Sequence, residues 1–192
     1  MMPYRVAMPR AERLTPWLRH LFDLYAVVDM SVAKALEASA LDVPGRKAGC
    51  FRGCSWCCHH VIPVTPLEVA GLTWFTREEM RPGVRKNLRN RKGAGTLCRF
   101  CLGGVCAAYA VRPVACRRFM VLGVPCAENE DATAARPEDM LRPDRELLEA
   151  AFALTLPYYQ ALGESPAPGQ SAFAFMAERT AALAAVSGRI LG

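Results

Sequence analysis

Four cysteines fall within nine residues: Cys50, Cys54, Cys57 and Cys58, spaced C-x3-C-x2-C-C. Cys98, Cys101 and Cys106 then form C-x2-C-x4-C, and Cys116 and Cys126 follow at equal intervals. Two or three residues between cysteines let one turn aim two thiolates at a single ion. Short loops also limit the chain entropy lost in gathering ligands. The chemistry such a set supports is thiolate ligation of zinc or of an iron–sulfur cluster. Neighbouring side chains diverge, so Cys57 and Cys58 suit two sites, or one ligand beside one packing thiol, better than a single tetrahedral ion. Free cysteine is also a common buried residue, and this plainer reading competes most strongly at Cys101 and Cys126. His59 and His60 adjoin the first group; imidazole suits zinc and iron, and either ring can equally pack against the crowded loop.

Arg112 and Arg117 flank the second group. A thiolate-rich centre carries negative charge that needs compensation, and these arginines can donate hydrogen bonds to anionic sulfur or hold an acidic partner. Solvated arginines in a basic segment are the plainer reading. Phe51, Trp56, Phe100 and Phe119 can shield the site from water or serve as ordinary core.

The segments GCFRGCSWCCHHVIPVTPLEV at 49–69 and CRFCLGGVCAAYAVRPVACRRF at 98–119 resemble the YkgJ-like cysteine-cluster family, a zinc- or iron-chelating domain. Its marks are a C-x2/3-C-x2-C-C group leading into a Thr-Pro helix start, then C-P-F-L, G-x-C, Tyr and R-P-x-x-C-R. Cys50, Cys54, Cys57 and Cys58 match the first group. Cys98, Cys106 and Cys116 match the second, with Tyr109, Arg112, Pro113 and Arg117 in register. Arg99 stands where the family has Pro, and Cys101 where it has Leu, so Cys101 is either a ligand or a packing substitute. The resemblance covers about residues 49–119. It implies metal binding by the seven matched cysteines and little about a reaction.

A closed structural zinc site takes four ligands, and a [4Fe–4S] cluster also takes four cysteines. Seven matched thiols exceed either need, leaving some for a second site or an exchangeable position. A [4Fe–4S] centre is favoured, with zinc as the alternative. The expected role is a redox or accessory module. A metal-dependent enzyme acting on a protein or amine, and a zinc-stabilised interaction module with a protein partner, are the competing readings.

The elements around the cysteines read as mostly α, helices surrounding a loop-rich, metal-organised region at about 49–126, in a single domain spanning 1–192. Residues 16–41 predict a long helix, with Trp17, Leu21, Leu24 and Val28 on one face, Leu14, Leu18 and Tyr25 beside it, and Thr15 and Pro16 as its start. Thr65 and Glu68 have capping-box spacing with Pro66 at the first helical position, so a helix begins at 66, just behind the first cysteine group. Helices are expected over 84–92, broken by Gly93-Ala94-Gly95, then over about 144–162, kinked or ended at Pro157, and 171–187, with a linker at 165–169. No strand alternation stands out.

The 192 residues are 52% hydrophobic and 22% charged, the range of a folded chain. No run approaches the roughly 18 apolar residues of a spanning helix, so no membrane partner is expected. The segment MMPYRVAMPRAERLT carries no apolar signal-type core, and cytoplasmic location follows as the expectation. Nine cysteines in a reducing compartment favour metal or redox roles over disulfides. There is no Walker loop, dinucleotide fingerprint or nucleophile elbow. The basic stretch from Arg77 to Lys92 reads as a solvated helix face, without the stacking or recognition residues of a nucleic-acid site. Titration with labelled DNA and RNA at physiological salt is expected to give no sub-micromolar binding; tight binding there contradicts this assignment.

Overall fold

The computed structural model describes residues 9–43, 45–51, 53–91 and 97–192. It is mostly α. Helices α1 (Pro9–Leu14) and α2 (Leu18–Asp42) come first. Strand β1 (Pro63–Val64) and helices α3 (Pro66–Trp74) and α4 (Pro82–Asn90) follow the first cysteine group. The second group begins with a hairpin, β2 (Cys101–Leu102) and β3 (Val105–Cys106), and continues into α5 (Val114–Arg118). Helices α6 (Ala132–Ala135), α7 (Arg145–Ala153), α8 (Leu156–Gln160) and α9 (Ala172–Ala177), strand β4 (Ala181–Ala182) and helix α10 (Leu183–Leu191) complete the order.

Helix α2 is the axis. Leu18, Leu21, Phe22, Leu24, Tyr25, Val28 and Val32 are buried, the i, i+3, i+4, i+7 stripe of a helix with one face to the core. Helices α3, α5 and α7 pack against it. Gly71 permits the close approach of α3, because a Cβ there would collide with the side chain of Leu21. Ser31, fully buried, donates from Oγ to the Asp144 carbonyl at 3.3 Å and so ties α2 to the start of α7.

Several expected boundaries are corrected. The helix expected over 16–41 is α2 and begins at Leu18, not at residue 16. Thr15 and Pro16 lie in the turn after α1, where the Thr15 carbonyl accepts from Leu18 N–H and no side chain caps α2. Leu14, expected beside the apolar face, is 76% exposed. Helix α4 starts at Pro82, whose missing N–H suits the first turn; residue 92 and the break at 93–95 lie outside the described residues. The expected 144–162 helix is two. Asp144 caps α7 through N–H donors of Glu146 and Leu147, and the chain breaks at Thr155, ahead of Pro157 in α8. The expected 171–187 helix is also interrupted, because β4 pairs antiparallel with β1, Pro63 opposite Ala182 and Val64 opposite Ala181. That pairing takes up backbone groups of the segment leaving the first cysteine group.

Helix α3 begins as its sequence dictates. Thr65 and Glu68 form the full capping box. Glu68 is only 2% exposed, and its carboxylate does more than cap. Oε2 accepts from Thr65 N–H and Oγ1 at 2.8 and 2.9 Å, while Oε1 accepts from Val114 N–H at 2.6 Å. Burial pushes the Glu68 carboxyl up from its usual range, and the donors pull it back. In Glu68→Gln one acceptor becomes an NH2 group facing a donor, so at least one buried N–H loses its partner. The expected loss is about 2 kcal/mol, measured by urea denaturation; a change below about 0.5 kcal/mol would show that the site rearranges freely.

Candidate metal centre

All nine cysteines are free thiols. Backbone contacts bring the two groups together. Cys58 closes a 3-10 turn, Trp56–His59, that follows Gly53, and its carbonyl accepts from Cys98 N–H at 2.7 Å. The hairpin that follows pairs Cys101 with Cys106. At its turn, Gly104 has φ +78°, and a Cβ there would lie 2.9 Å from the Gly53 carbonyl oxygen. Only glycine therefore lets the tip of the second group rest on the loop of the first.

A second arrangement holds Cys50 and Cys126. Gly49 N–H donates to Val121 O, and Gly123 N–H to Lys47 O, each at 2.7 Å. Bridges Ala48–Leu122 and Val121–Met140 extend this into a short irregular ladder. Arg46 bonds Asp139 at 2.7 Å, and Arg136 bonds Glu130 at 2.6 Å and the Val124 carbonyl at 2.8 Å. Cys126 thereby comes within electrostatic range of Cys50 and Cys54.

The thiols thus fall into two adjoining neighbourhoods. Cys58, Cys98, Cys101, Cys106, Cys116 and Cys57 influence one another in one; Cys50, Cys54 and Cys126 form the other, joined to it through Cys57. Among the described residues no group of three or more His, Cys, Asp or Glu side chains is arranged to hold a metal ion.

Burial raises the thiols of Cys50, Cys98 and Cys116, and pushes Cys106 up to about 11. Backbone N–H groups oppose this: Val121 donates to Cys50 sulfur, Phe100 and Cys101 to Cys98, Ala108 to Cys106. Such bonds stabilise a thiolate in preference to a thiol. The adjacent pair divides its roles. A hydrogen bond from Cys58 holds Cys57 down at about 7 and raises Cys58.

The two arginines are placed differently. Arg112 lies in electrostatic range of Cys50, Cys57, Cys106 and Cys116 and favours the thiolate of each. Its guanidinium lies 4.3 Å over the Tyr109 ring, and its buried Nε has no hydrogen-bond partner. Arg117 is 4% exposed and spends its donors on the scaffold. Nη1 meets Asp29 of α2 at 2.7 Å, Nη2 the Ala110 carbonyl at 2.6 Å, and Nε the Arg112 carbonyl at 2.9 Å. Its carbon also stacks 3.8 Å over Tyr25, whose hydroxyl donates to Val111 O.

Cys101 is 2% exposed, and its carbonyl accepts from Arg91. His59 stacks on Trp56 and His60 on Phe119, each pair at 6.1 Å. Of the four aromatic residues expected to shield the site, Phe100 is buried and Phe51 is not, being 61% exposed. The basic stretch is partly structural. Arg85 donates to the carbonyls of Thr76 and Arg77, and Arg89 to that of Leu191 at 2.6 Å.

The ladder linking 47–49, 121–123 and 139–141, the Arg117–Asp29 pair and the Glu68–Val114 bond were not visible in the sequence. Only the capping box marked Glu68. No protein-family model, curated protein or solved structure matches this chain. No helix among the described residues is long and apolar enough to cross a membrane.

The contrast between the arginines is testable. Arg117→Met leaves Asp29 and two carbonyls without their donor and is expected to lower stability by about 2–4 kcal/mol. The Arg112 guanidinium donates no hydrogen bond among the described residues, so Arg112→Met is expected to change stability by less than about 1 kcal/mol. Paired urea denaturation checks both; equal stability losses would remove the distinction.

Proposed function

We propose that this chain is a metal-binding cysteine-cluster protein, an iron–sulfur redox or accessory module with [4Fe–4S] favoured over zinc. The observation that supports this reading is that Cys50, Cys57, Cys106 and Cys116, from two separate groups, lie within electrostatic range of Arg112, whose buried Nε has no hydrogen-bond partner. A buried N–H without an acceptor is costly, and a thiolate can supply what the Arg112 Nε–H lacks. The donor chemistry fits such a centre: sulfur ligands, backbone N–H groups directed at sulfur, and one compensating charge. The resemblance to the YkgJ-like family supports the same ligands, Cys50, Cys54, Cys57, Cys58, Cys98, Cys106 and Cys116.

These residues hold the metal, Arg112 offsets thiolate charge, and Arg117 positions the loop that carries Arg112. A bound iron–sulfur cluster supplies one-electron transfer; bound zinc supplies a structural cross-link. The enzyme reading has one observation in its favour, a cavity that reaches Cys57 and Cys116, since catalytic metals keep an open position.

Anaerobic purification followed by iron, sulfide and zinc analysis tests the proposal. At least one metal centre per chain is expected; folded protein with only traces of iron and zinc overturns it. Loading has a predictable pH dependence. Burial raises most of these thiols, so they are protonated at neutral pH in the metal-free chain and must release protons to bind. Apparent affinity is expected to rise with pH by about tenfold per unit for each proton released, and indicator dye in weak buffer reads the release directly. Loading without proton release would show that buried thiols are not the ligands.

A further inference from the structure

A cavity of about 920 Å³ opens between α5, the segment 60–65, the loop 131–143 and helices α7 and α9. It is within the size range of small-molecule sites. Its walls are largely apolar, with the core residues Ile62, Leu141, Phe152 and Met176 among its lining. Its charges are unevenly satisfied. The carboxylate of Glu68 is taken up by Thr65 and Val114, and Oδ1 of the exposed Asp131 accepts from the N–H and Oγ1 of Thr133 at 3.0 and 2.5 Å. Arg118, half-buried, and Arg142 also line the cavity, and neither has an acceptor among the described residues. Arg142 is exposed to solvent, whereas half-buried Arg118 presents unspent guanidinium donors beside an apolar floor.

We propose that this cavity binds a carboxylate with an extended apolar body, its head group on Arg118 and its tail against Ile62, Phe152 and Met176. A guanidinium matches a carboxylate in two parallel hydrogen bonds, and the apolar walls select against a small hydrophilic anion such as inorganic phosphate. Cys57 and Cys116 form part of the same wall, so a bound ligand lies beside the cysteine centre. That adjacency rests on the metal-centre reading; the binding itself does not.

Fluorescence of 8-anilinonaphthalene-1-sulfonate, an apolar anion, reports occupancy of the full-length protein, and decanoate, decanol and phosphate are the competitors. Decanoate is expected to displace the dye at least about tenfold more tightly than decanol, with phosphate ineffective. Arg118→Gln is expected to abolish that preference and Arg118→Lys to keep part of it, with far-ultraviolet circular dichroism unchanged in both. Equal displacement by decanoate and decanol, displacement by phosphate alone, or an unaltered preference in Arg118→Gln overturns the proposal. Iron and zinc are measured on the same samples. Decanoate selectivity in metal-free protein leaves this site standing and removes the centre beside it; metal-loaded protein without selectivity does the reverse.

Discussion

Glu68 accepts three hydrogen bonds where water does not reach, two from Thr65 and one from Val114. Thr65 ends the segment that leaves the first cysteine group, and Val114 begins the helix that carries Cys116. One side chain therefore fixes both groups to the same point of α3. The arrangement is favourable only while every donor is present, because a buried carboxylate without partners would be protonated or displaced. Tyr159, fully buried on α8, supports the same corner by accepting from Leu67 N–H at 3.4 Å. Burial holds its hydroxyl at about 12, so it stays neutral there. The cysteine loops thus hang from a polar node inside an otherwise apolar helix assembly.

The two arginines of the R-P-x-x-C-R segment show how one short motif divides work by burial. Arg117 faces α2, and its planar fork has an acceptor for each nitrogen. Through the Arg112 carbonyl it sets the backbone from which Arg112 reaches the thiols. Arg112 faces the other way, toward sulfur, with its Nε unspent. In a low-dielectric environment an unspent charge acts strongly on its neighbours. The same geometry that would be costly with neutral thiols becomes favourable with thiolates.

What the sequence made legible was local. The apolar stripe of α2, the capping box at Thr65 and Glu68, and the break ahead of Pro157 follow from rules that operate within one or two turns. Interactions between distant segments were illegible for the same reason. Nothing near Cys126 announces that residues 121–123 pair beside 47–49, because the ladder is too short and irregular to impose a period of two. Nothing in the small-residue run around Ala181 and Ala182 marks a strand; β4 exists because β1, just beyond the cysteine loop, has backbone groups to satisfy. The candidate site was legible as a list of cysteines, through their spacing. Its division into two neighbourhoods depends on those unseen pairings.

The thiols add a constraint of their own. Half-buried as neutral groups, Cys98, Cys106 and Cys116 pack against the apolar core; as thiolates they are favoured by the backbone N–H groups and Arg112. The protein provides both in advance, and both favour the charged form. Burial first, and then repulsion between neighbouring thiolates, oppose it and favour the protonated form of Cys98, Cys106 and Cys116. Under the proposed metal binding, several protons would leave for one multivalent centre, since each thiolate formed alone would be poorly solvated while thiolates formed together would share one counter-charge. Cys57 is the exception, already held near neutrality by Cys58, and it lies on the cavity wall.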